Sequence, residues 1–401
     1  QRKCIRKWVM PFVIAPTDVG VLVLGASLLL LAGGWAWWLR RQKRAASPES
    51  TTVSPAPAVD PSALSAEQAA QLQPFEQAVG DQPQDPIAWY NRATTLDHLG
   101  QAQAALASYD RALELKPDFP EAWNNRGSLL DDLGRHQEAL ASYERALRLK
   151  PDFFEARFNQ ANTLRQLGRY EEALRAYERA LALSPDSPET WYLHGLTLAS
   201  LGRWQGSLIS YEKALAINPV NAQVWQSRGL ALFHLERYVD ALASYERALQ
   251  LGSESASLWA GHALAHHRLG NPMEALNSYD RALAQDPKRP QIWVQRGLVL
   301  MDLNLYELAI QSFDRALQMD PDNAEAHYAK ACCCAWEGQV PQALQALEQA
   351  LRLEPERYRP LLSSEPYFDL IREEPSFASF LAALAGTDPP KNPPPLSRTA
   401  S

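Results

Sequence analysis

PEAWNNRGSLLDDLGRHQEALASYERALRLKPDF, residues 120–153, decides the fold. The stretch is 34 residues long and returns eight times without a gap from Pro86 to Arg357. The copies begin at Pro86, Pro120, Phe154, Pro188, Ala222, Ala256, Pro290 and Ala324. Trp holds the fourth position in six copies (Trp89 through Trp293), and where Arg157 and His327 replace it an aromatic follows one residue later, Phe158 or Tyr328. Gly holds the fifteenth position except at Glu236 and Asn304. An aromatic ring holds the twenty-fourth in seven copies, and Ala holds the twenty-seventh in all eight, from Ala112 to Ala350. Pro holds the thirty-second except at Ser253. A fixed period of this length is the signature of a repeat architecture.

Each position has a physical meaning. Apolar residues at three- and four-residue spacing on both sides of the Gly predict two amphipathic helices per copy. The Gly supplies the left-handed residue that ends the first helix. The Pro ends the second and forces an extended residue before it. Pro86, Pro120, Pro188 and Pro290 open a first helix, where a missing N–H costs nothing. The fixed small Ala lets neighbouring helices approach closely. A single hairpin cannot bury its own apolar face, so the hairpins must stack.

This pattern resembles the tetratricopeptide repeat (TPR) family over 272 of the 401 residues. The resemblance implies an all-α fold: an α-solenoid of about eight TPR helical hairpins, residues 86–357. Glu236, Asn304 and Ser253 are expected to loosen turns, most at the junction of the fifth and sixth repeats.

Around the array the chain divides further. Residues 1–19 are a basic and apolar flank, and residues 20–39 carry no charge, ending on Trp35, Trp37 and Trp38. Such a run is long enough for one transmembrane helix, with the Trp cluster at the interface. Residues 40–64 combine a basic stop-transfer group (Arg40, Arg41, Lys43, Arg44) with a Pro/Ser/Ala-rich linker. That linker reaches about 25 Å as a flexible coil. Basic residues flank both ends of the apolar run. The compact second group, by the positive-inside rule, places the array on the cytoplasmic side of a single-pass protein. Residues 65–85 read as an N-terminal capping helix with Phe75 and Ala78 in register with the second helices. Residues 358–385 read as C-terminal capping helices over the last repeat, with Phe368, Ile371, Phe377, Phe380 and Leu381 on one face, and 386–401 as a disordered Pro-rich tail.

Charge narrows the partners. Residues 1–44 hold eight Lys/Arg and one Asp, a balance of +7, and the rest holds 31 basic and 45 acidic residues, a balance of −14. An acidic body excludes the phosphate contacts that nucleic acid requires. No Gly-rich phosphate loop, G-x-S-x-G, H-E-x-x-H or C-x-x-C occurs, so no enzyme activity and no cofactor are expected of these residues. His262 and His266 have the four-residue spacing of a shared metal, but His266 falls at a core position and no third ligand can be assigned. The expectation is variant core residues and no metal site. Cys332, Cys333 and Cys334 give no disulfide framework, and Cys334 reads as a small core hydrophobe.

The family likeness implies that positions two, five, six, nine, twelve and thirteen of each first helix line a concave face. Mapped here, the first three repeats offer Asn91, Asn125, Asn159, Asn162 and Arg165, with Asp97 and Asp131. The Asn at successive sixth positions suits an extended peptide backbone or, equally, bonds between repeats. Repeats four to seven offer Leu193, Leu196, Leu230, Phe233, Leu264, Leu298 and Met301, a stripe suited to an amphipathic helix or an apolar side chain. The fifth positions hold no Lys and the second positions nothing basic, so the basic clamp with which some TPR domains grip a chaperone C-terminus is not expected. The reading is a membrane-anchored TPR scaffold or adaptor whose groove binds a protein or peptide. The alternative is the recruitment or regulatory half of a larger enzyme, such as a kinase or transferase, with its catalytic domain upstream of Gln1.

Overall fold

The computed structural model describes residues 65–385. The proposed transmembrane helix at 20–39, its flanks, the linker before residue 65 and the Pro-rich tail lie outside them. Among the described residues there is helix and turn but no strand, and no helix is long and apolar enough to cross a membrane. The described chain forms two compact units, divided after Leu235.

The first unit holds α1 (Ala66–Asp81) and then the hairpins α2/α3 (Pro86–His98, Ala102–Leu115), α4/α5 (Pro120–Asp132, His136–Leu149), α6/α7 (Phe154–Gln166, Tyr170–Leu183) and α8/α9 (Pro188–Ser200, Trp204–Ile217). It ends on α10 (Ala222–His234), the first helix of repeat five. The second unit opens on α11 (Tyr238–Gln250), followed by α12/α13 (Ala256–Arg268, Pro272–Gln285), α14/α15 (Pro290–Asp302, Tyr306–Met319) and α16/α17 (Ala324–Trp336, Val340–Leu353). Short α18 (Pro355–Tyr358), 3-10 turns at Arg359–Leu361 and Pro366–Ile371, and α19 (Pro375–Ala385) follow. Within each unit, every second helix packs on the first helix of the next repeat.

The repeat positions act as the sequence predicts. Tyr109, Tyr143, Tyr177, Tyr211, Tyr279 and Phe313 are fully buried, as is the Ala three residues beyond each. Gly127, Gly195 and Gly297 lie under those rings, where an added Cβ would come within 2.5–2.6 Å of a ring carbon. The fourth-position indole has a duty the spacing does not show. Its N–H donates to the carbonyl of the Pro six residues before: Trp89 to Pro83 at 3.0 Å, Trp191 to Pro185 at 2.8 Å, Trp293 to Pro287 at 2.9 Å. His327 keeps the contact in repeat eight, its Nε2 lying 2.9 Å from the Pro321 carbonyl.

The three irregular turns resolve differently. Glu236 and Asn304 adopt φ +59° and close their turns as Gly does elsewhere. Asn tolerates this conformation, whereas Glu is strained in it. At Ser253 the helix stops one residue early on Gly252, φ +85°, whose N–H bonds the Leu249 carbonyl at 2.9 Å. A left-handed Gly stop thus replaces the Pro stop.

At the N-terminus, a capping box between Ser65 and Gln68 starts α1. Leu72 and Val79 are its buried residues, while Phe75 and Ala78 stay half-buried because no first helix of their own repeat precedes them among the described residues. At the C-terminus, Phe368, Ile371 and Phe377 are buried, and the 3-10 turn at Pro366–Ile371 packs on α16.

Candidate functional site

In the first unit the inward positions of α2, α4, α6, α8 and α10 carry the candidate residues. Asn91, Asn125, Asn159, Asn162 and Arg165 are all half-buried. The Asn ladder works between repeats. Asn125 Nδ2 donates to Tyr90 Oη at 3.0 Å, and Asn159 Nδ2 to Asn124 Oδ1 at 3.1 Å. Each bond joins a fifth position to the sixth position of the next repeat, and Tyr192 Oη and Ser227 Oγ repeat the pairing at 3.5 Å. Of the two uses the sequence allowed, these bonds between repeats show the stacking one. Asn91 has no preceding repeat and no such partner among the described residues.

Arg165 differs from the ladder. Its Nε is buried without a hydrogen-bond partner, and no carboxylate lies within ion-pair distance among the described residues. Around it, the Tyr177 hydroxyl donates to Asn162 Oδ1. Burial pushes the Tyr177 phenol up to about 12, and the Arg165 cation, which also hydrogen-bonds that hydroxyl, pulls the other way. The same helix position in repeat two is acidic, but Asp131 Oδ1 is engaged by His136 Nδ1 at 2.6 Å.

The apolar stripe splits. Leu196 (4 % exposed) and Phe233 (7 %) in the first unit, and Met301 (5 %) in the second, are core side chains folded against their own array. They offer a partner almost no surface. Leu193 and Leu230 in the first unit, and Leu264 and Leu298 in the second, remain half-exposed and carry the apolar character of the inner face. In repeat eight the inward positions are already covered. Tyr328 stacks on Tyr358 with centroids 4.5 Å apart and its hydroxyl reaches Glu365 at 3.4 Å, so the chain's own C-terminal segment occupies that end.

The seventh position of the first helix carries a network that sequence reasoning missed. Arg126 Nε contacts Asp110 Oδ1 at 2.6 Å in the preceding repeat, and Nη1 donates to Ser142 Oγ at 2.8 Å in its own. Arg296 repeats this with Asp280 and Ser312, both at 2.7 Å, and buried Arg92 ties Glu76 of α1 to Ser108. His194 and His262 take the same place, reaching Ser210 at 2.9 Å and Ser278 at 3.0 Å. The signal was available: Ser recurs sixteen residues after Arg92, Arg126, His194, Arg228, His262 and Arg296, whereas Gln160 and Lys330 are followed by Ala.

The histidines have partners of their own. His262 is a bridging residue of that network, and its ring meets His266 edge-on at 4.6 Å. His267 pairs with Asp302 at 2.6 Å, and His234 stacks on Trp204 at 3.9 Å. No group of three side chains able to hold a metal occurs among the described residues. Cys332, Cys333 and Cys334 are fully buried. Burial pushes all three thiols up, Cys334 to about 11, so they stay protonated at neutral pH.

These features define a class: a stack of helical hairpins with a half-open inner face and no assembled catalytic group among the described residues. The tetratricopeptide repeat model matches five overlapping windows from 72 to 256 and a sixth at 261–324, and a second model of the same description matches 300–364. The chain belongs to the tetratricopeptide repeat family. Among solved structures, YrrB, a TPR protein with an unusual peptide-binding site, is 23% identical, with a TM-score of 0.42, 47% of this chain covered and 98% of YrrB. PilF of Pseudomonas aeruginosa is 21% identical, with a TM-score of 0.47 and coverage of 52% and 96%. A TPR protein of Parabacteroides merdae ATCC 43184 is 18% identical, with a TM-score of 0.47 and coverage of 70% and 99%. Comparison with functionally curated proteins finds no match.

Proposed function

We propose that the chain is a membrane-anchored, non-catalytic scaffold that holds a segment of a protein partner on the inner face of its first unit. The apolar run 20–39 anchors it, the Pro/Ser/Ala-rich linker gives reach, and the array stands on the cytoplasmic side. The observation that carries the binding proposal is Arg165. Its guanidinium is half-buried with no acid beside it; Tyr177 bonds one part of the group, but the buried Nε–H has no acceptor, which costs stability. It faces the same inner surface as the half-exposed Leu193 and Leu230. An extended peptide or helix that sets a carbonyl or carboxylate against Arg165 and an apolar side chain against the two leucines fits both features.

The test is affinity capture by the full chain from solubilised membranes, with Leu193→Glu/Leu230→Glu and Arg165→Ala beside the wild type. Both positions of the Leu pair are half-exposed, so the variant is expected to fold, whereas Phe233→Glu would bury a charge. Specific capture that falls about tenfold or more in both variants is expected, since buried apolar and Arg anchors dominate such interfaces. Undiminished capture by well-folded variants would show that the inner face is not the site. Protease protection of the array in sealed vesicles checks its side of the membrane, and extraction of the full chain by alkaline carbonate would refute the anchor.

A further inference from the structure

Repeat three breaks the bridge. Its fourth position is Arg157 in place of Trp, its seventh is Gln160 in place of a cation, and Ala176 stands where a bridged Ser would be. The first two changes fall on one spot between α5 and α6, while Ala176 is on α7. Without the indole and its N–H, the surface opens into a depression of 240 Å³ lined by Glu144, Leu147, Arg148, Arg157 and Gln160. Arg157 is half-buried, and burial followed by the neighbouring Arg179 cation pushes its guanidinium down. Neither Arg157 nor Arg179 has a carboxylate within ion-pair distance among the described residues. Arg148 and Glu144 are 3.9 Å apart, at the limit of an ion pair.

We propose that this depression docks a carboxylate side chain from an acidic segment of a partner protein. The planar fork of unpaired Arg157 suits a carboxylate, the Arg179 cation near it adds attraction, the Gln160 amide adds a donor, and buried Leu147 gives an apolar floor. Glu144 on the rim decides between anions, because its charge opposes a phosphate dianion more than a carboxylate monoanion. The site uses repeat positions four and seven, so it is separate from the inner face and does not depend on the groove reading.

The test is fluorescence anisotropy with the full chain in detergent and a labelled decapeptide of alternating Glu and Ala. A Gln/Ala peptide and a phosphoserine/Ala peptide serve as comparisons. Arg157→Trp restores the repeat's own residue and fills the depression, and Arg157→Gln removes the charge with little change of packing. Saturable binding of the Glu peptide is expected, weakened about tenfold in both variants, with the melting temperature of Arg157→Trp no lower than the wild type's. Arg157→Glu/Arg179→Glu is expected to lose the Glu peptide and gain a Lys/Ala one. No saturable binding by the wild type, equal binding of the Gln peptide, or unchanged binding by both Arg157 variants would overturn the site. A phosphoserine peptide bound more than tenfold tighter would overturn the carboxylate assignment.

Discussion

Arg126→Gln makes repeat two resemble repeat three, and its cost can be worked out from the three interactions that the guanidinium makes. Asp110 is 46% exposed, so its 2.6 Å pair with Arg126 is worth at most about 1 kcal/mol. The 2.8 Å bond to buried Ser142 contributes about 1 kcal/mol. The guanidinium also sits 5.7 Å from the Trp123 ring, worth roughly 0.5–1 kcal/mol at a half-exposed site. The substitution should therefore cost about 2–3 kcal/mol, concentrated where α4 meets α5 and the preceding repeat. Ser142→Ala alone removes that bond and the one Ser142 Oγ gives to the Glu138 carbonyl at 2.9 Å. If the bridge is real, the double variant costs about 1 kcal/mol less than the two singles together, because their shared bond is lost only once. A stacked array opens in segments, so the readout is amide hydrogen exchange of residues 120–149 by mass spectrometry, with urea unfolding beside it. Costs that add to within about 0.3 kcal/mol would refute the bridge.

Two further outcomes follow from local features. Glu236→Gly relieves a left-handed residue at φ +59°, and urea unfolding should show a gain of about 0.5–1 kcal/mol after the flexibility of Gly in the unfolded chain is subtracted; a loss would mean that the turn is not strained. Burial lowers His234, against Trp204, from 6.5 to about 4, and does the same to His262. The folded state keeps these rings neutral while the unfolded chain takes up protons below 6.5. Their contribution is thus whole above that pH and lost as pH falls from 6.5 to 4. The urea midpoint should drop across that window, and His234→Phe should flatten the drop; a His234→Phe profile parallel to the wild type's would refute the assignment.

The hairpins were legible because period, Gly and Pro constrain the backbone directly. What was not legible depends on where side chains go after stacking. Leu196, Phe233 and Met301 share inward positions with Leu230, Leu264 and Leu298, yet the first three are buried against their own array. Spacing alone assigns both sets to one face. The Asn ladder was ambiguous for a related reason. An amide half-exposed on that face can bond a ligand or the next repeat, and only the 35-residue offset of Asn125 from Tyr90 and Asn159 from Asn124 shows the latter. The bridge at position seven was written in the sequence as a paired change, Gln160 with Ala176 and Lys330 with Ala346, but reading it needs two positions compared at once.

Those paired changes bear on where function lies. Natural repeats depart from their own stabilising rules where another demand competes. Lys330 loses its Ser but keeps its acid, Asp314, at 2.6 Å, so the bridge there is only shortened. In repeat three nothing replaces it. The indole, the cation and the hydroxyl are all gone, and the Arg157 guanidinium stands in the indole's place. Helix α6 also carries Arg165 on its inward side, with no acid beside it and its buried Nε unpartnered although Tyr177 bonds the group. A helix that gives up the bridge at Gln160, and leaves a buried guanidinium donor unpartnered at Arg165, is poorly explained by stability alone. Both departures are explained if α6 is the element that partners engage, through Arg165 at the inner face and through Arg157 beside α5.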